Sequence, residues 1–215
     1  MIDRFCKEYC KHFSTIPKSV LEIGSRDGND AAFLADYFSI PYNDVFVVEP
    51  HPKHINHIKQ VYPKFNLFEV AISSKLGIVE FDVIESRSWD ETGRSSLLSR
   101  SPEYPIYNDD QVLRQENWHK VVSIPGRTLL NEIGLDEIDL VKIDVEGATY
   151  EVLESFGSDI SKLKFIHLEA EYVQFWQNQK LYSDIANLLQ NYGFKEAYKI
   201  DLGYDQCDTI WYKSW

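Results

Sequence analysis

The residues best able to do chemistry sit at the ends of apolar runs. Asp144 and Glu146 lie two apart in "VKIDVEG", and His167, Glu169 and Glu171 alternate through "FIHLEAE". On a strand, residues two apart share a face, so the second set presents an imidazole and two carboxylates on one side. Such a group can take a proton from a weak nucleophile such as a hydroxyl, a contribution typically on the order of 10²–10⁴-fold in rate. Asp144 and Glu169 are the candidate base or acceptor-orienting groups, with His167 as a third candidate set one step deeper. Glu146 and Glu171 are candidates for holding the acceptor. Each has a plainer role available: His167 as a satisfied core histidine, Glu171 as a solvated strand end, and Glu146 as a carboxylate at a helix start.

A second set surrounds "LEIGSRDGND". Gly24 and Gly28 bracket a polar turn, Glu22 and Asp27 stand beside it, and Glu49 closes "VFVVEP". A carboxylate closing the second strand, about 20 residues past a glycine turn, can hold the two hydroxyls of an adenosine ribose. A dinucleotide site wants G-x-G-x-x-G and no negative neighbours for its pyrophosphate. Here the spacing is Gly24-x-x-x-Gly28 and two carboxylates flank it, which suits a ligand carrying an ammonium and a sulfonium. S-adenosyl-L-methionine is such a ligand, with S-adenosyl-L-homocysteine as its product. A nicotinamide-dependent oxidoreductase on a similar sheet and a non-catalytic binding module on the same fold are the alternatives.

Positioning these residues requires strands that end together. Apolar runs alternate with segments of helical period, the pattern of βαβ units around a mostly parallel sheet. Strands are expected at Val20 to Gly24, "DVFVVEP", "FNLFEVAIS", "IVEFDVI", "IDLVKID", "LKFIHLEAE", "FKEAYKI" and "CDTIWYK". Helices are expected after Asn29, over "HPKHINHIKQVY", from about Ala148 to Phe156, and from Tyr182 to Asn191 with Gly193 as its stop. Ligands of such sheets sit beyond the carboxyl ends of the strands, so the turn, Glu49 and Asp144 should converge. Residues 86 to 120 break the rhythm and read as a lid or acceptor-binding insertion in an otherwise single domain spanning 1–215. Within it Trp89, Arg94 and Trp118 offer aromatic faces and hydrogen-bonding arms suited to carbohydrate.

At 215 residues, with 44% hydrophobic and 26% charged residues, the chain has the composition of one globular domain. A net charge of −12 argues against a nucleic-acid partner. Cys6, Cys10 and Cys207 are few and scattered, which fits a reducing, cytoplasmic setting. The N-terminal "MIDRFCKEYCKHF" has no signal-like apolar core, and no run approaches a membrane span. His51, His54 and His57 step around a helix by threes with no further ligand beside them, so a solvated helix start is expected there and no metal site. The carboxylate cluster leaves room for a divalent ion such as Mg²⁺, which is not favoured. Trp211 and Trp215 lie at the end of the chain, which admits a reading in which it is one module of a larger glycan-assembly protein.

Residues 18 to 172 resemble the FkbM-type S-adenosylmethionine-dependent methyltransferases. The likeness rests on "EIGSRDG", "VVEPHP", "FNLFEVAISSKLGIVEF", "GRSSL" and above all "GRTLLNEIGLDEIDLVKIDVEGATYEVL". It departs at Glu22, at Ser25-Arg26 and at Thr149. The resemblance implies a Rossmann-like class I fold: an α/β, seven-stranded, mostly parallel sheet with an antiparallel last strand and helices on both faces. It also implies O-methyl transfer to hydroxyls of sugars, glycans or glycosylated metabolites. By the same resemblance Glu22, Gly24, Ser25 and Gly28 line the methionine part of the cofactor and Glu49 the ribose, and Asp27 and Pro50 beside them are further cofactor-binding candidates. Ala71 and Ile72 fall to the adenine, Ser95 and Ser96 to the cofactor side of the cleft, and Asp144 and Glu146 near the transferring methyl.

Overall fold

The computed structural model describes residues 1–84, 94–102 and 117–213. Seven strands form the main sheet: β1 (Val20–Ile23), β2 (Val45–Val48), β3 (Asn66–Phe68), β7 (Ile138–Ile143), β8 (Leu163–Glu171), β9 (Lys195–Asp201) and β10 (Gln206–Tyr212). Their spatial order is β3-β2-β1-β7-β8-β10-β9. All neighbours pair in parallel except that β10 runs antiparallel to both β8 and β9. The last strand is therefore the reversed one, as the sequence reading expects. β4 (Ala71–Ile72), β5 (Gly77–Asp82) and β6 (Trp118–Ile124) form a separate three-stranded sheet in the order β4-β6-β5.

Helices cover both faces. α1 (Ile2–His12), α2 (Asn29–Phe38) and α3 (Pro52–Val61) pack on one side with Val20, Val47, Leu140 and Phe165. α4 (Gly126–Ile133), α5 (Thr149–Ser155) and α6 (Tyr182–Asn191) pack on the other with Leu21, Val141, Ile143 and Leu168. Coverage on both faces explains why β1 and β2 read as unbroken apolar runs: every residue of "VLEI" and "VFVV" is buried.

Three features differ from expectation. α1 was not anticipated, because its apolar residues form a narrow stripe among charges; Phe5, Cys6 and Tyr9 are nonetheless buried, with Phe5 stacked on Phe165 at 4.9 Å. "FNLFEVAIS" is not one strand, since Asn66–Phe68 joins the main sheet and Ala71–Ile72 the small one. The segment expected to be irregular over 86 to 120 ends sooner, because Trp118 already pairs with Asp82 at the start of β6.

Strand order also fixes where a ligand must sit. From β1 the chain winds outward through β2 to β3, then returns to lay β7 against the other edge of β1. A crevice opens at the carboxyl ends of strands flanking such a reversal. Gly24 leaves β1 and Asp144 leaves β7 at that point.

Candidate active site

The glycine turn is shaped by close backbone approach. Gly24 has φ +79°, and a Cβ there would lie 1.9 Å from the backbone oxygen of Asp144. No side chain fits between the two strand ends. Gly28, also at φ +79°, caps α2 and faces the Tyr62 ring. Asp27 accepts the Asn29 N–H at 3.1 Å, supplying the carboxylate that a helix start favours. Arg26 between them is held at φ 54°, and its N–H donates to Glu49 Oε2 at 2.8 Å.

Glu49 is accordingly fixed from two sides. Its other oxygen accepts the His51 N–H at 2.8 Å and lies 3.6 Å from His54 Nδ1. His51 in turn caps α3, its Nδ1 accepting from Lys53 N–H at 3.2 Å, and stacks on His54 at 4.2 Å. Burial, aided by His54, pushes the His51 imidazole below its usual range. The expectation of a solvated helix start is thus corrected: His51 and His54 are buried, because the helix begins under the crevice. Among the described residues no group of His, Cys, Asp or Glu is arranged to hold a metal ion.

A pocket of about 50 Å³ runs along the crevice. Glu49, Pro50 and Arg26 border one stretch, Val70, Ala71, Ile72 and Phe81 an apolar stretch, and Gly24 and Asp144 the join. A pre-set carboxylate beside an apolar slot suits a diol carried on a flat ring. Beyond the join lies a second hollow, bordered by Ser25, Asp27, Asp30, Arg94, Lys142, Asp144 and Glu146. Asp144 belongs to both.

Several anticipated residues take other positions. Glu22, expected at the methionine end, lies beneath the turn at 1% exposure, where it accepts the Ser25 hydroxyl at 2.6 Å and the Ala31 N–H at 3.2 Å. Burial pushes it up to about 7 despite Lys142 nearby. Ser25 is turned toward that carboxylate. Ser96 donates to the Glu146 carbonyl at 2.6 Å, fastening the turn after β7, while its neighbour Ser95 borders the cavity. Trp118 borders a different hollow, together with Ser73, Leu98 and Glu151. Trp89 lies outside the described residues.

The acidic set gathers as the strand-end reading expects, with unequal surroundings. Lys142, which sequence reasoning passed over, lies 3.0 Å from Asp144, 3.0 Å from Asp30 and 3.4 Å from Glu22. Burial would lower its ammonium, but Asp144, Glu22 and Asp30 outweigh that and hold it well above the usual lysine range. Burial likewise opposes ionisation of Asp144, yet Lys142 wins and brings that carboxyl below its ordinary value. At Glu169 the balance is reversed: burial, then Asp144 and Glu171, raise it to about 8 against the weaker pull of Lys142. Glu169 Oε2 accepts from the Gln206 amide at 3.2 Å. Glu171 is raised to about 7 by burial, with Asp144 adding to it, and Glu146 is driven well up by burial and by Asp144, Glu169 and Glu171. His167 is buried, its Nε2 3.2 Å from Asp208, under α1 and away from either hollow. The lysine had a sequence signal, a cation inside the buried run "IDLVKI", which calls for buried anions beside it.

The comparisons with known proteins accord with this geometry. Residues 22–196 match the model of the methyltransferase FkbM domain. The 2-O-methyltransferase NoeI of Sinorhizobium fredii is 27% identical over 186 residues, covering 80% of this chain and 71% of that protein. A putative S-adenosylmethionine-dependent methyltransferase from Listeria monocytogenes shares the fold at TM-score 0.54 and 10% identity, with all of both chains covered. The methyltransferase FkbM of Methylobacillus flagellatus does so at 0.51 and 12%, over 91% of this chain and 43% of the other. The magnesium protoporphyrin IX methyltransferase of Synechocystis, solved with S-adenosylmethionine bound, does so at 0.51 and 13%, over 99% and 78%. With its family model spanning most of the sheet and the crevice at its centre, the chain belongs to the FkbM methyltransferase domain family and is an S-adenosylmethionine-dependent methyltransferase.

Proposed function

We propose that this methyltransferase moves the methyl group to a hydroxyl of a sugar, a glycan or a glycosylated small molecule. The family replaces the nicotinamide alternative. S-adenosylmethionine supplies an electrophilic methyl on a sulfonium, and the chain's own task is to align the acceptor oxygen and remove its proton. Alignment and proton removal are the two levers available.

In this reading Glu49 holds the ribose hydroxyls, Val70, Ala71, Ile72 and Phe81 enclose the adenine, and the Gly24–Gly28 turn with Asp144 faces the methionine end. The residues fit the cofactor: the Glu49 carboxylate is fixed by two backbone N–H groups and keeps lone pairs for a diol. Glu169 is the general base. The observation that carries the assignment is the contrast between the two carboxyls, Asp144 held low by the Lys142 ammonium 3.0 Å away and Glu169 raised to about 8 by burial and by Asp144 and Glu171. A group that titrates near working pH is the better proton acceptor, whereas a permanently ionised one suits a cationic neighbour. Glu146 and Glu171 hold the acceptor, with Arg94 across the hollow. So many carboxylates favour a neutral polyol over a phosphorylated or carboxylated acceptor, and a relative that is a 2-O-methyltransferase supports an oxygen as the methylated atom.

The test is an incubation of the purified chain with methyl-labelled S-adenosylmethionine and a panel of neutral and anionic methyl glycosides. The expected outcome is label transfer to a neutral member, stable to mild base as an ether is. Label on an amine or carboxyl acceptor, with none on any hydroxyl, contradicts the proposal.

A further inference from the structure

We propose that Lys142 is a positioning residue for this reaction: its ammonium, shared with Glu22 and Asp30, holds the Asp144 carboxylate at the join of the two hollows. The inference rests on the reading above in which Asp144 faces the methyl donor. Three observations carry it. Lys142 is 7% exposed and lies 3.0 Å from Asp144, so the contact is shielded from solvent on the lysine side. The same ammonium reaches Asp30 at the start of α2 and Glu22 on β1, so one cation ties three elements that meet at the crevice. Finally, Glu22 and Lys142 are direct partners in the β1–β7 register, and Lys142 and His167 are partners in the β7–β8 register, so the lysine stands in a polar row across the sheet directly behind Asp144.

Asp144 lies among other carboxyls. Glu146 interacts with it from its own turn and Glu169 and Glu171 from β8, while Glu22 of β1 and Asp30 of α2 share its lysine. Against these stand Lys142, Arg26 of the glycine turn and His167 of β8. Removing the nearest cation leaves a carboxyl among carboxyls, whose proton affinity rises. At lower pH the aspartate then becomes neutral and no longer attracts a sulfonium. An ordinary structural ion cluster would instead lose stability without singling out the charged cofactor.

The experiment measures binding of S-adenosylmethionine and of uncharged-sulfur S-adenosylhomocysteine to Lys142→Met, Lys142→Arg, Asp144→Asn and the Lys142→Met/Asp144→Asn double variant between pH 6 and 8. The expected result is that Lys142→Met weakens S-adenosylmethionine binding several-fold more at pH 6 than at pH 8, because without the ammonium the Asp144 carboxyl rises into the range of its buried neighbours Glu169 and Glu171. S-adenosylhomocysteine should change less, Lys142→Arg should recover much of the loss, and Lys142→Met should add nothing in the Asp144→Asn background. An equal loss at every pH, undiminished in that background, overturns the proposal. Should Lys142→Met not fold, a carbon-13 titration of the Asp144 carboxyl in the wild type decides: a midpoint below the ordinary aspartate value supports the proposal, and one at or above it overturns it. Wild-type binding of S-adenosylmethionine by Asp144→Asn would instead overturn the reading on which it rests, so the two failures are told apart.

Discussion

The two halves of the crevice are built on opposite terms. At the cofactor end each polar group is already satisfied: Glu49 accepts from the backbone of Arg26 and His51, and Asp27 from the backbone of Asn29. At the proposed acceptor end the carboxyls of Glu146, Glu169 and Glu171 lie close enough to act on one another, and Glu171 Oε2 is buried with no hydrogen-bond partner among the described residues. A buried polar atom without a partner is costly, so a ligand that supplies a hydrogen bond there is favoured. A carboxylate already set by backbone N–H groups is thus joined to a proposed acceptor site of protonatable carboxyls.

The sharpest way to break the comparison is to remove the proposed base, Glu169. Glu169→Gln should lower kcat by roughly 10²–10⁴-fold while leaving cofactor affinity near wild type, checked by steady-state kinetics beside calorimetric binding. An equal loss in both would place Glu169 in the cofactor half. Gly24→Ala comes next, since a methyl group would collide with the Asp144 backbone at φ +79°. It should destabilise the fold by roughly 3 kcal/mol, read as a shift in the denaturation midpoint. Glu49→Gln keeps the size of the side chain but loses its charge, and should weaken S-adenosylhomocysteine binding by about 10–100-fold, the range for a hydrogen bond to an ionised group. A turnover number unchanged at saturating cofactor would sharpen the division. The mildest effect is on pH dependence. Glu22, Glu169 and Glu171 have folded values raised to about 7, 8 and 7, so their contribution to stability is full below the ordinary glutamate value and is lost as pH rises through 7 to 8. The ligand-free Tm should therefore decline between pH 5 and 8, and Glu169→Gln should flatten the upper part of that decline.

The same contrast governs what the sequence discloses. The cofactor half is local: a glycine turn, a carboxylate at a strand end and a proline-led helix are each written within a few residues, and β1, β2, β7 and β8 follow from their buried apolar runs. Ala71 and Ile72 were expected at the adenine end and do border the cavity, although the chain between Phe68 and Ala71 leaves one sheet for another in only two residues, a break that periodicity does not mark. The acceptor half depends on register. His167, Glu169 and Glu171 share one face of β8, but His167 lies under α1 with its Nε2 against Asp208, while Glu169 pairs with Asp208 further along the strand; neither the cover of α1 nor the β8–β10 register can be read from "FIHLEAE" alone. Ser95 and Ser96 are adjacent and chemically alike, and only the tie from Ser96 to the Glu146 carbonyl tells them apart.

The most direct test of this account is the proton balance of cofactor binding, measured calorimetrically at pH 7 in buffers of different ionisation enthalpy. A crowd of part-protonated carboxyls facing a sulfonium should release protons when S-adenosylmethionine binds, more than when S-adenosylhomocysteine does, and Glu169→Gln should reduce the difference. Equal release by both ligands, or none, would contradict the claim that the acceptor half holds its carboxyls protonated until the cofactor's charge arrives.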